Sequence, residues 1–192
     1  MISTGSSGNC LYVALVHYPV ADKNGETIAS AVTNLDLHDI ARACRTYGVK
    51  RYYIITPLED QLLLANRIIA HWTQGAGGVY NPQRRKALER IRLKSDFRTT
   101  IDEIAQAEAY TPVTVATSAK RSDCGLSYGR LRLMLANGKP FLLVFGTAWG
   151  LTEAFMMEAD YRLAPLEGVG SYNHLSVRSA VSITLDRLVG RQ

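Results

Sequence analysis

Four short runs, "LYVALVH" (11–17), "RYYIIT" (51–56), "PVTVATS" (112–118) and "PFLLVFG" (140–146), are apolar on successive rather than alternate positions. They are too brief for helices and rich in Val, Ile, Tyr and Phe, which is how strands read when both faces of a parallel sheet are covered. Segments of helical periodicity lie between them, at 34–48, 58–74, 81–94, 99–109 and 127–138. Thr100 followed by Glu103 fits a capping box, and Asn137-Gly138 fits a helix stop ahead of Lys139-Pro140. Strand and helix alternate, which predicts an α/β fold with a mainly parallel sheet and helices on both faces.

The last part of the chain breaks that rhythm. A short helix at 152–159 and a brief segment at 161–167 lead into the polar loop "GVGSYNHLS" (168–176). A final helix follows, with Val177, Ala180, Val181, Thr184, Leu185 and Leu188 on one face and Arg178, Ser182 and Asp186 off it. Asn173 is the expected N-cap, with Ser176 at the third helical position.

At 192 residues and 47% hydrophobic composition the chain can bury one core, so a single domain over 11–192 behind a loose tail at 1–10 is expected. No window approaches 18 successive apolar residues, and "MISTGSSGNC" has neither the basic nor the apolar region of a secretory signal. A cytoplasmic protein with no membrane partner is the expectation. Cys10, Cys44 and Cys124 are odd in number and far apart, and His17, His38, His71 and His174 lack ligand spacing, so no disulfide framework and no metal are expected.

The net charge of +5 is concentrated. "RRKALERIRLKSDFR" (84–98) sets seven Lys and Arg against Glu89 and Asp96, a local excess equal to the total. Such a strip suits RNA, because neutralising phosphates releases counterions, and Arg84, Arg85 and Arg90 are the candidate contacts. A solvated helix face is the alternative.

Ligands of parallel α/β sheets sit beyond the carboxyl ends of the strands. Three loops leave such ends with unusual composition: 116–127, 145–151 and 165–176. Gly146, Gly150, Gly168 and Gly170 permit close backbone approach, and Thr117, Ser118, Thr147, Ser171, Asn173 and Ser176 offer neutral hydrogen-bonding groups, which suits a nucleoside-like ligand. No loop matches a phosphate-binding G-x-x-x-x-G-K-[ST] or G-x-G-x-x-G pattern. A small hydrolase using Cys124 or Ser118 beside a histidine is a further reading, without any G-x-S-x-G elbow to support it.

"FGTAWGL" followed by "PLEGVGSYNHLSVRSAVSITLDRL" resembles the second and third motifs of the SPOUT superfamily of knotted RNA methyltransferases. "DLHDIARACRTYGV" (36–49) resembles the first motif of its SpoU branch. The resemblance runs from about residue 11 and is most specific over 141–188. It implies a C-terminal deep trefoil knot, S-adenosylmethionine as cofactor, and a donor slot built from Thr117, Ser118, Phe145, Gly146, Thr147, Trp149, Gly150, Leu166, Gly168, Ser171, Tyr172, Asn173, His174, Leu175 and Ser176.

The same resemblance puts Arg42 at the branch's motif-one arginine, Asp36 where an Asn is common, and Asn173 and Ser176 in the N-x-S element, which makes Arg42, Asp36 and Asn173 the catalytic candidates. Ala148 stands where the SpoU branch has a glutamate, so the acceptor is either a ribose 2′-hydroxyl or a base nitrogen such as guanine N1, the target of the TrmD branch. Each residue has a plainer role. Arg42 and Arg45 can pair with Asp36 or Asp39, His17 and His38 can be satisfied by backbone, Trp149 can be core, and His174 can cap. A homodimer is also implied, with the apolar faces of 58–74 and 174–190 available for it. The expected function is methyl transfer to a tRNA or rRNA nucleotide; a non-catalytic module that binds RNA or an adenosine ligand is the alternative.

Overall fold

The computed structural model describes residues 10–120 and 125–191. Six strands form one parallel sheet: β1 (Leu11–Val16), β4 (Tyr52–Ile55), β5 (Ile91–Lys94), β6 (Val113–Ala116), β7 (Phe141–Gly146) and β8 (Tyr161–Arg162), in the order β5-β4-β1-β7-β6-β8. β1 and β7 pair in register from Leu11–Phe141 to Val16–Gly146 and form the centre. Every residue of β1 and β4 is buried, as their unbroken apolar runs require. A two-residue hairpin, β2 (Val20–Ala21) with β3 (Thr27–Ile28), lies outside the sheet.

Helices cover both faces. Leu11, Val13, Leu15, Tyr52, Ile54, Leu143 and Phe145 point to the side packed by α1 (Asn34–Thr46), α4 (Pro82–Leu88), α6 (Tyr128–Leu135) and α8 (Val177–Val189). Tyr12, Ala14, Val16, Tyr53, Leu142 and Val144 point to the side packed by α5 (Phe97–Glu108) and α7 (Glu153–Glu158). Alternation along each strand thus assigns the two cores. α2 (Glu59–Thr73) and α3 (Ala76–Tyr80) complete the first layer, although Ala65 is the one buried residue of α2.

Three expectations are corrected. Residues 81–94 are not one helix: α4 stops at Leu88, and Ile91–Lys94 is an edge strand whose Ile-Arg-Leu-Lys alternation has period two. Thr100 does not cap α5, since Asp96 accepts from the Thr99 N–H at 2.7 Å and Thr100 is buried inside the helix. Asn173 does not cap α8, because Ser176 does, accepting from the Ser179 N–H at 3.2 Å. Arg178, off the apolar face of α8 as expected, bonds to α1. The tail before residue 10 and Cys124 lie outside the described residues.

Candidate active site

The three loops singled out above leave the carboxyl ends of β6, β7 and β8, which are adjacent in the sheet, so all three open onto one edge. The chain beyond β8 runs against the loop beyond β6. The Leu126 N–H donates to Arg162 O at 2.7 Å, the Ala164 N–H donates to Leu126 O at 2.9 Å, and Gly125 lies directly on Ala164.

The loop after β7 is the most constrained. A Cβ on Gly146 would stand 2.4 Å from the Leu151 nitrogen and 2.7 Å from the Gly150 carbonyl carbon. Gly150 has φ +102° and Ala148 has φ +50°, which fold the turn tightly. Its outer side is bound to β2, with Trp149 N–H donating to Ala21 O at 3.1 Å and Ala21 N–H donating to Gly150 O at 2.8 Å. Thr147 fastens it to the end of β1, its N–H and hydroxyl both donating to Val16 O at 3.2 and 3.1 Å. Trp149 is 70% exposed and so is no core residue. Phe145 packs its ring in the core, leaving its backbone at the loop.

Thr117 donates from its N–H and its hydroxyl to Val144 O, both at 3.0 Å, and Ser118 Oγ accepts from the Lys120 N–H at 3.1 Å. Leu166 is half-buried; Gly168, Ser171, Tyr172, Asn173, His174, Leu175 and Ser176 are exposed. The Tyr172 and His174 rings lie 6.3 Å apart. Among the described residues, no backbone N–H from 165 to 175 donates to another backbone group. This stretch therefore offers open, uncharged donors and acceptors beside glycines with no close neighbour, a composition that fits an adenosyl group.

Asp36 lies in the first turn of α1 and is 4% exposed. Its Oδ2 accepts from the Thr33 hydroxyl at 2.6 Å and its Oδ1 accepts from Arg178 Nη1 at 3.4 Å. Arg178, which also reaches Asp39 at 3.5 Å, thereby ties α1 to the first turn of α8, directly after the polar loop. Arg42 is six residues further along α1, on a different face, exposed and without an ion pair among the described residues. The structure thus brings Asp36 to the end of the loop that carries Asn173 and Ser176, and holds Arg42 apart from both.

The basic strip is divided among three elements. Arg84 stacks 4.5 Å over the Trp72 ring, Arg85 pairs with Glu89 at 2.9 Å, and Arg90 Nη1 donates to the carbonyls of Val49 and Lys50. Burial, then the neighbouring guanidinium groups of Arg45 and Arg51, pull Arg90 below the ordinary arginine range. Two residues that sequence reasoning left without a function stand at the site: Arg178 and, behind Thr147, Ser30. Among the described residues no group of three or more His, Cys, Asp or Glu is placed to hold a metal, and no helix is long and apolar enough to cross a membrane.

A family profile described as SAM-dependent RNA methyltransferase matches residues 10–190. A tRNA (guanine-N(1)-)-methyltransferase of Nitratidesulfovibrio vulgaris is 44% identical over 189 residues, covering 98% of this chain and 44% of that protein. The chain thus spans less than half the length of that relative. An uncharacterized protein of Aquifex aeolicus is 38% identical over 182 residues, covering 94% of this chain and 89% of that one. The solved structure of the A. aeolicus TrmH/SpoU tRNA modifying enzyme shares the fold at a TM-score of 0.56 and 16% identity, over 94% of this chain and 74% of that one.

Proposed function

The chain belongs to the family of SAM-dependent RNA methyltransferases, and on that premise we propose that it methylates a tRNA nucleotide, holding S-adenosylmethionine in the loops beyond β6, β7 and β8. The carrying observation is that those loops open onto one edge of three adjacent parallel strands. The relative's name supports tRNA as substrate and guanine N1 as acceptor; a ribose 2′-hydroxyl is the other outcome of the test.

The bound donor supplies a methyl group already activated by its sulfonium. The chain's own residues position the acceptor and accept its proton. The backbone groups of 166–175 and the hydroxyls of Thr117 and Ser171 hold the adenosyl portion. Asp36, whose Oδ2 accepts from Thr33 and whose Oδ1 accepts from Arg178, is the carboxylate that receives the proton. Arg42, exposed and without an ion pair among the described residues, orients the acceptor bound to the partner of a homodimer, and Asn173 contributes its amide. The C-terminal segment after β8 is threaded as a deep trefoil knot, a topology otherwise essentially absent from proteins; the contact of Gly125 with Ala164 supports that reading. The whole of 11–192 acts as one domain, in the cytoplasm.

Calorimetry with S-adenosylmethionine is expected to give a micromolar Kd, and no binding at high micromolar concentration overturns the cradle. Labelled donor incubated with tRNA and rRNA fractions, followed by nucleoside mass spectrometry, identifies the acceptor. Donor binding without label transfer to any RNA leaves a binding module in place of an enzyme. Arg42→Ala should lower transfer about a hundredfold while leaving the donor Kd unchanged.

A further inference from the structure

His17 follows β1 directly and is fully buried, with its carbonyl accepting the Ser30 N–H at 2.9 Å. Its Nδ1 lies 3.2 Å from Ser30 Oγ, and Ser30 Oγ in turn contacts Thr147 Oγ1. Thr147 Oγ1 lies 3.1 Å from Val16 O. Four residues from three separate stretches of sequence therefore form one line of polar atoms that ends on the turn after β7. Nothing in the methyl-transfer scheme uses the first two.

Hydrogen-bond counting fixes its direction. Val16 O can only accept, so the Thr147 hydroxyl donates to it, Ser30 donates to Thr147, and His17 Nδ1–H donates to Ser30. This arrangement makes three bonds and leaves the buried His17 Nε2 as an unpaired acceptor. The reverse direction makes two bonds, leaves Thr147 without its carbonyl, and buries an unpaired Nε2–H donor, which costs more. The remaining contact of Ser30 Oγ, to His17 O at 3.5 Å, is at the limit of a hydrogen bond and does not compete.

We propose that His17 and Ser30 are positioning residues for donor binding: a His17–Ser30–Thr147 relay fixes the Thr147 rotamer and so sets the shape of the 147–150 turn that faces the methyl donor. The proposal rests on the reading of that turn as part of the donor cradle. The Thr147 hydroxyl is fixed from behind, by half-buried Ser30 and through it by fully buried His17. With the relay cut, the Thr147 hydroxyl is free to rotate off Val16 O, and the turn keeps its backbone bonds, from the Thr147 N–H to Val16 O and between β2 and Trp149 and Gly150, but loses the side-chain bond that fixes Thr147 on the end of β1.

The test measures S-adenosylmethionine affinity by calorimetry and steady-state methyl transfer for wild type, Ser30→Ala, His17→Leu, His17→Asn and the Ser30→Ala/His17→Leu double variant. Thermal unfolding of each checks the fold. Asn places an amide N–H near the position of Nδ1 and should rescue. Ser30→Ala and His17→Leu should each weaken donor binding about tenfold, with kcat at saturating donor within about twofold of wild type. His17→Asn should bind like wild type, and the double variant should be no worse than either single. Wild-type affinity in folded Ser30→Ala overturns the relay, as does equal loss in His17→Asn and His17→Leu. If His17→Leu does not fold, Ser30→Ala decides. Wild type that itself fails to bind the donor overturns the cradle reading and is thereby told apart from failure of the relay.

Discussion

A methyl group added at Gly146 has nowhere to go, because the two nearest atoms belong to the backbone of its own turn. Gly146→Ala should therefore cost about 2 kcal/mol or more in urea unfolding and abolish donor binding, whereas alanine at Gly170, which has open space around it, should change stability by less than about 0.5 kcal/mol. At this scale the sequence is legible where one residue suffices. Glycines flanking a turn after an apolar run mark Gly146 and Gly150, and a serine immediately before the first apolar position of a helix marks Ser176 as a cap, a stronger signal than Asn173 three residues earlier. The relay is not legible. Ser30 reaches Thr147 across 117 residues of chain, and His17 reaches it through Ser30, because the register of β1 with β7 sets Val16 beside Gly146, and no local pattern encodes that pairing.

Among the elements, α2 is the least satisfied. Its apolar residues Leu63 and Leu64 are 52% and 48% exposed, and Leu58 and Leu35 beside it are exposed as well. A helix this apolar that buries little in its own subunit suits the homodimer proposed above. Glutamate at both Leu63 and Leu64 should convert a dimer to a monomer in sedimentation velocity; a dimer that persists places the interface off α2, and not on the apolar face of α8, whose Val181, Leu185 and Leu188 are buried in the subunit's own core. The four central strands were readable because burial on both faces makes their runs continuous. β5 was not, because "RRKALERIRLK" is rich in helix formers and the two-residue period over Ile91–Lys94 is too short to outweigh them. Leu88 and Ile91 lie at opposite ends of a sharp change of direction that tertiary packing, not propensity, dictates.

For the molecule as a whole, the strip at 84–98 is less a face than a set of arginines with separate duties. Arg85 pairs with exposed Glu89 at the end of its own helix, so Arg85→Glu should lower RNA affinity and reduce the salt slope by about one while the fold is kept. Arg90→Glu should instead lower the thermal midpoint, since it removes the donor to the Val49 and Lys50 carbonyls between α1 and β4. Unchanged RNA affinity in Arg85→Glu returns that residue to a solvated role. Strand order has a consequence for synthesis. β1 receives β4 on one flank early, but its other flank stays vacant until Phe141–Gly146 has left the ribosome. Until then the nascent chain carries a naked, wholly apolar strand edge, an invitation to pair with the wrong neighbour that only the emergence of β7 withdraws.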